Sequence, residues 1–205
     1  MKQSDQLFDA VNIAAIPDRE FRVLNALNVS IYRCLSKYEV IFQIIDRNET
    51  EYNREVVLLC WELVDWLERT RKILGLGAGI KKNDPEYILT YKKLESAEQF
   101  RHSLQHFDKY INESNDSSAA PLGSVSAIRM ESKDEIMAVV FTPGLVRGSG
   151  VDLGNFSMPE KMIDKVDFVT LELNGERLNL SEIARKLLKY YEYIRESTAV
   201  KYPKT

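Results

Sequence analysis

Residues 19–47 read REFRVLNALNVSIYRCLSKYEVIFQIIDR, with apolar side chains at Leu24, Leu27, Ile31, Cys34, Tyr38, Ile41 and Ile45. Steps of three and four put these residues on one face of a helix. Leu35 and Phe42 widen the stripe beyond a two-stranded seam, so the pattern predicts a long helix packed in a bundle. Pro17-Asp18 marks its start.

A second helix follows from about Glu51 to Leu74, with Val56, Leu59, Cys60, Leu63, Trp66, Leu67 and Ile73 as its core face. Gly75-Leu76-Gly77-Ala78-Gly79 ends it. This glycine run follows a helix rather than a strand, so it reads as a helix stop and not as a phosphate-cradling loop. Asp84 caps a third helix, Pro85 suits its first turn and Glu86 its positive end. That helix is expected to run to about Glu113. Ser124–Met130 and Ile136–Thr142 are short, β-branched and partly alternating, as strands are. A glycine-rich loop is expected over 145–160. Val166–Leu173 alternates into Asn174-Gly175 and then Glu176–Leu180, a hairpin signal, because both turn residues tolerate positive φ. Ser181 is expected to cap a last helix through about Glu196.

The expected fold is therefore mainly α: an antiparallel helical bundle with a small antiparallel β segment inserted before a C-terminal helix. It divides a single domain, 1–205, into a helical core at 19–114, a β-hairpin-rich insertion at 123–180 and a helix at 181–197 that completes the bundle. A chain of 205 residues that is 44% hydrophobic can bury such a core without disulfides or metal. The 28 Lys and Arg against 31 Asp and Glu give a net charge of −3, which argues against a DNA-coating protein but leaves room for a local basic site. Cys34 and Cys60 sit on apolar helix faces and read as buried reduced thiols. The N-terminal stretch carries acidic residues and no long apolar run, unlike a signal peptide, and no stretch is long enough to span a membrane. The expected location is the cytoplasm.

The chain has only two histidines, both within Arg101-His102-Ser103-Leu104-Gln105-His106. On a helical wheel Leu94, Ala97, Phe100, Leu104, Phe107 and Ile111 share one side. Glu95, Glu98, His102, His106 and Lys109 fall on the other, and Arg101 lies on the flank. The simplest reading is two solvated histidines on a polar face. A second is metal: His102 and His106 are i and i+4, and Glu98 extends the line, although no glutamate stands between the histidines as in H-E-x-x-H. A third is acid–base chemistry on phosphate. Histidine moves protons near neutral pH, and an adjacent arginine neutralises developing charge on a phosphate. RNA supplies its own nucleophile, the 2′-OH, so its cleavage needs no metal.

Arg101 to His106 resembles the R-x(4–6)-H motif of the HEPN superfamily, including the polar residue directly after the arginine. The resemblance extends over the helical part, and the β segment departs from it. It implies a metal-independent endoribonuclease with no cofactor, often homodimeric and frequently part of a toxin–antitoxin or defence system. RNA, a second copy and a cognate antitoxin or other protein are then the expected partners. The motif assigns phosphate binding to Arg101, general acid–base work to His106 and an auxiliary role to His102. Some members of the superfamily are non-catalytic, so the alternative is a dimeric RNA- or protein-binding module.

Residues five apart on a helix diverge by about 140°, so Arg101 and His106 of one chain point apart. Two copies of the helix around a two-fold axis bring them into one cleft. Glu62 and Asp65 are candidates to orient a histidine or arginine. Arg69, Arg71 and Lys72, with Lys81 and Lys82 beyond the glycines and Arg147 in the loop, are candidates for RNA backbone contacts. An open edge of the β segment offers a place for substrate or a partner strand.

Overall fold

A computed structural model of the chain describes residues 6–47, 52–77, 79, 81–106, 122–132, 135–142, 162–173 and 175–204. Four long helices dominate it: α1 (Asp18–Asp46), α2 (Asn53–Gly75), α3 (Pro85–Gln105) and α4 (Leu180–Lys201). Between α3 and α4 lie strands β1 (Ser124–Met130), β2 (Ile136–Phe141), β3 (Val166–Leu173) and β4 (Glu176–Asn179). The strands form one antiparallel sheet in the order β2-β1-β3-β4. α1 packs on α2 and α4, α3 packs on α2 and α4, and the sheet lies mainly against α4 through β3.

The apolar stripe of α1 is buried as its spacing requires: Leu24, Leu27, Ile31, Cys34, Ile41 and Ile45 all lie in the core. They meet Val56, Cys60, Leu63 and Leu67 of α2, Leu94 and Ala97 of α3, and Ile183, Leu187 and Ile194 of α4 in one hydrophobic cluster. Each such aliphatic side chain contributes about 1.5–3 kcal/mol through burial. Tyr38 is only partly buried and instead donates its hydroxyl hydrogen to Ser181 Oγ at 2.8 Å. Among the described residues no helix is long and apolar enough to cross a membrane.

The helix ends follow local chemistry. α2 stops where Gly77 adopts φ +64°, a conformation that any Cβ resists, and its N–H reaches Leu74 O at 3.0 Å. Asp84 caps α3 by accepting from Glu86 N at 2.9 Å, with Pro85 in the first turn. Two expectations need correction. Asn179, not Ser181, caps α4, accepting from Glu182 N at 3.0 Å, and the helix continues to Lys201. Ser181 is buried inside the first turn, where its Oγ accepts from Tyr38 and from Val169 N at 2.9 Å. Asn179→Ala should therefore lower stability by about 1 kcal/mol in urea unfolding, the usual cost of a lost cap. The helical reading of α3 also ends earlier: His106 is the non-helical residue that closes it, with φ −108° and ψ 27°. Residues 107–113, the loop at 145–160 and the candidate Arg147 fall outside the described residues.

Within the sheet, Leu173 pairs with Glu176 across the two-residue turn, and Gly175 has φ +79° as the hairpin signal demands. β3 carries a bulge: Phe168 and Val169 stand opposite the single residue Ala127 of β1. Phe168 sits at φ +53°, rare for a residue with a side chain. Its N–H is taken by the fully buried carboxylate of Asp167 at 2.7 Å. Asp167 also accepts from Ile163 N at 3.1 Å and pairs with Arg185 at 2.8 Å. On β1, buried Arg129 donates to the carbonyls of Ile45 and Asp46, both at 3.3 Å, and pairs with Glu131. It thereby holds the negative C-terminal end of α1 against the sheet.

Candidate functional site

The candidate residues occupy the last turn of α3. Leu94, Ala97 and Phe100 on one side of this helix are buried. Trp61 of α2 packs its ring 6.3 Å from Phe100, centroid to centroid, and donates its indole hydrogen to Leu122 O at 2.9 Å. That contact packs α3 against α2.

Arg101 leaves the flank of α3 and turns toward α2. Its Nε lies 3.0 Å from Asp65 Oδ1, while Arg69 Nε lies 2.7 Å from the other oxygen of the same carboxylate. Asp65 thus fixes the arginine by its Nε, and the two terminal nitrogens of Arg101 make no hydrogen bond among the described residues. Beside Arg101 a cleft of about 540 Å³ opens between α2 and α3. Trp61, Asp65, Trp66, Arg101 and Leu104 contribute to its walls.

His102 and His106 point elsewhere. Both are exposed, and their rings meet edge to face with centroids 4.5 Å apart. Neither lines the cleft that Arg101 lines. The chain therefore brings the two histidines together and holds Arg101 in a separate cleft, as the divergence along the helix requires. Glu98, the third member of the metal line, pairs with Arg71 at 2.8 Å. Among the described residues no group of three His, Cys, Asp or Glu side chains is placed to hold a metal ion.

The accessory candidates divide. Asp65 does orient an arginine, whereas Glu62 pairs with Lys37 of α1. Arg71 is engaged by the buried Glu68 at 2.7 Å as well as by Glu98. Burial alone would raise the Glu68 carboxyl, but the hydrogen bonds and charges of Arg71 and Lys72 outweigh it and bring it below the usual carboxylate range. Lys82 donates to Gly75 O at 2.8 Å and so serves the end of α2.

Trp66 departs from the core role its spacing suggests. It is half-buried, with Arg69 5.1 Å and Arg33 6.0 Å from its ring centroid. The pair Trp66–Arg69 is i, i+3 and could be read from the sequence; the approach of Arg33 from α1 could not.

Neither cysteine belongs to this site. Both are buried and free. Burial pushes the Cys34 thiol up to about 12, against a hydrogen bond with Thr70, and raises Cys60 further. Such thiols remain protonated and unreactive. Thiol alkylation at mildly alkaline pH should leave the native protein unmodified and label it at both positions once it is unfolded in urea. No protein-family model, curated protein or solved structure matches the chain.

Proposed function

We propose that this chain is a HEPN-like, metal-independent endoribonuclease of the cytoplasm, built on an antiparallel helical bundle and acting as a homodimer. The observation that carries the reading is the posture of Arg101. Asp65 holds it by Nε, so its two terminal nitrogens remain as parallel donors of the kind that match two phosphate oxygens. His102 and His106 stand exposed at the same end of the helix. A second copy related by a two-fold axis supplies histidines to the arginine cleft that one chain leaves without them.

In this reading His106 takes the proton of the RNA 2′-OH as the 2′-oxygen attacks phosphorus. A 2′,3′-cyclic phosphate forms, the bond to the 5′-oxygen breaks, and that leaving oxygen takes its proton from water. Arg101 stabilises the charge that builds on the phosphoryl oxygens. His102, in ring contact with His106, orients it. A toxin or defence nuclease of this kind would be held in check by a protein partner, the antitoxin of the system.

The test is cleavage of single-stranded RNA in excess chelator, alongside the mass of the protein in solution. The reading expects a dimer that cleaves with chelator present and a His106→Ala variant slowed by about 10²–10⁴-fold, the usual worth of a general acid–base. A monomer that leaves RNA intact overturns it. A dimer that binds RNA or a protein partner without cleaving leaves the alternative, a non-catalytic HEPN-like binding module.

A further inference from the structure

A second groove runs between α1 and α2 on the far side of Trp66 from the Arg101 cleft. It encloses about 570 Å³, with Phe21, Val29, Trp66 and Ile73 among its apolar walls and Arg22, Arg69 and Lys72 among its cations. Trp66 lines both this groove and the Arg101 cleft, so the two adjoin at that residue.

The charge on this face opposes that of the whole chain. Arg69 and Arg101 share the single carboxylate of Asp65. Arg22 and Arg33 have no ion pair among the described residues, and Arg33 lies over the Trp66 ring. Arg71 and Lys72 are balanced by Glu68 and Glu98. Arg22, Arg33 and one of the two guanidiniums on Asp65 therefore remain uncompensated, on a protein whose net charge is −3.

We propose that this groove is a track for single-stranded RNA, in which a nucleobase stacks on the Trp66–Arg69 surface while Arg22 and Arg33 take the flanking phosphates. Planar groups flanked by cations recognise the two faces of a nucleotide at once: the base by stacking and the backbone by charge. An acidic peptide would pair with the cations but has no planar group to stack on the exposed Arg69 guanidinium that lies over Trp66. The track deepens the ribonuclease reading, because it leads a strand past Trp66 to Arg101, yet binding in it needs no cleavage.

The experiment measures binding of the full chain to a 2′-O-methyl single strand, which lacks the nucleophilic hydroxyl and stays intact whatever the nuclease does. Trp66→Leu is expected to weaken binding by about tenfold, the loss of one stacked base. The double variant Arg22→Gln/Arg33→Gln is expected to lower the slope of log affinity against log salt by about 1.4, the share of two phosphates on a single strand. An abasic strand of equal length should bind wild type about tenfold more weakly and Trp66→Leu no differently from the base-containing strand. Unchanged salt slope in the arginine variant, equal binding of the two strands by wild type, or full displacement by polyglutamate overturns the track. Circular dichroism confirms that each variant is folded. Binding with this signature in a protein that cleaves no RNA would sink the ribonuclease reading and leave the track standing.

Discussion

Replacing Asp167 with alanine is expected to destabilise the protein by about 3–5 kcal/mol, the range for removing one partner of a buried charged pair. The carboxylate is fully buried and holds three groups: Phe168 N at 2.7 Å, Ile163 N at 3.1 Å and Arg185 at 2.8 Å. Its loss strands two backbone donors and removes the support for Phe168 at φ +53°. The bulge then loses its tie to the start of α4, where Ser181 receives Val169 N and the Tyr38 hydroxyl. Urea unfolding measures the loss as a lower midpoint with an unchanged slope. Asp167→Ala combined with Arg185→Leu should recover part of it, because the second change removes the guanidinium left without its partner. Equal stability of Asp167→Ala and wild type would contradict the packing described for β3 and α4.

Arg101→Ala is expected to reduce the rate of RNA cleavage by about 10²–10³-fold with the fold intact. The guanidinium is part exposed and its ion pair with Asp65 lies at the surface, so the pair contributes only about 0.2–1 kcal/mol to stability. The rate effect comes from losing both terminal donors at the phosphate. Arg101→Lys should recover little, since an ammonium on a flexible stem does not reproduce a planar pair of donors. Asp65→Asn keeps an oxygen for the Nε bond but weakens the restraint, and its effect should be smaller than that of Arg101→Ala. Steady-state kinetics on one RNA at fixed salt compares the three. Equal rates for wild type and Arg101→Ala would remove the arginine from the chemistry.

The elements that periodicity describes were legible in the sequence. Leu24 to Ile45 placed α1, and the alternation into Asn174-Gly175 placed the hairpin of β3 and β4, because neighbouring residues carry these signals. What escaped depends on partners distant in the chain. Asn179 outranked Ser181 as the cap because Ser181 Oγ is claimed by Tyr38, a residue of α1. Nothing in the sequence around Arg129 announces that it holds the end of α1. The pairing of Val11 with Pro203 joins the two ends of the chain with no local pattern to announce it. At the site, the helical wheel gave the separation of Arg101 from the exposed histidines. It named Asp65 only as one of two carboxylates, and α2–α3 packing chose between them.

The central claim is a ribonuclease site assembled from two copies, with Arg101 of one working beside His106 of the other. The direct measurement mixes two variants, Arg101→Ala and His106→Ala, each slowed at least about a hundredfold alone, and follows RNA cleavage in chelator after subunit exchange. A mixed dimer holds one intact Arg101 and one intact His106 on different chains, so the account predicts that cleavage returns on mixing. A mixture that has exchanged subunits and stays as slow as its components, beside an active wild type, would contradict it.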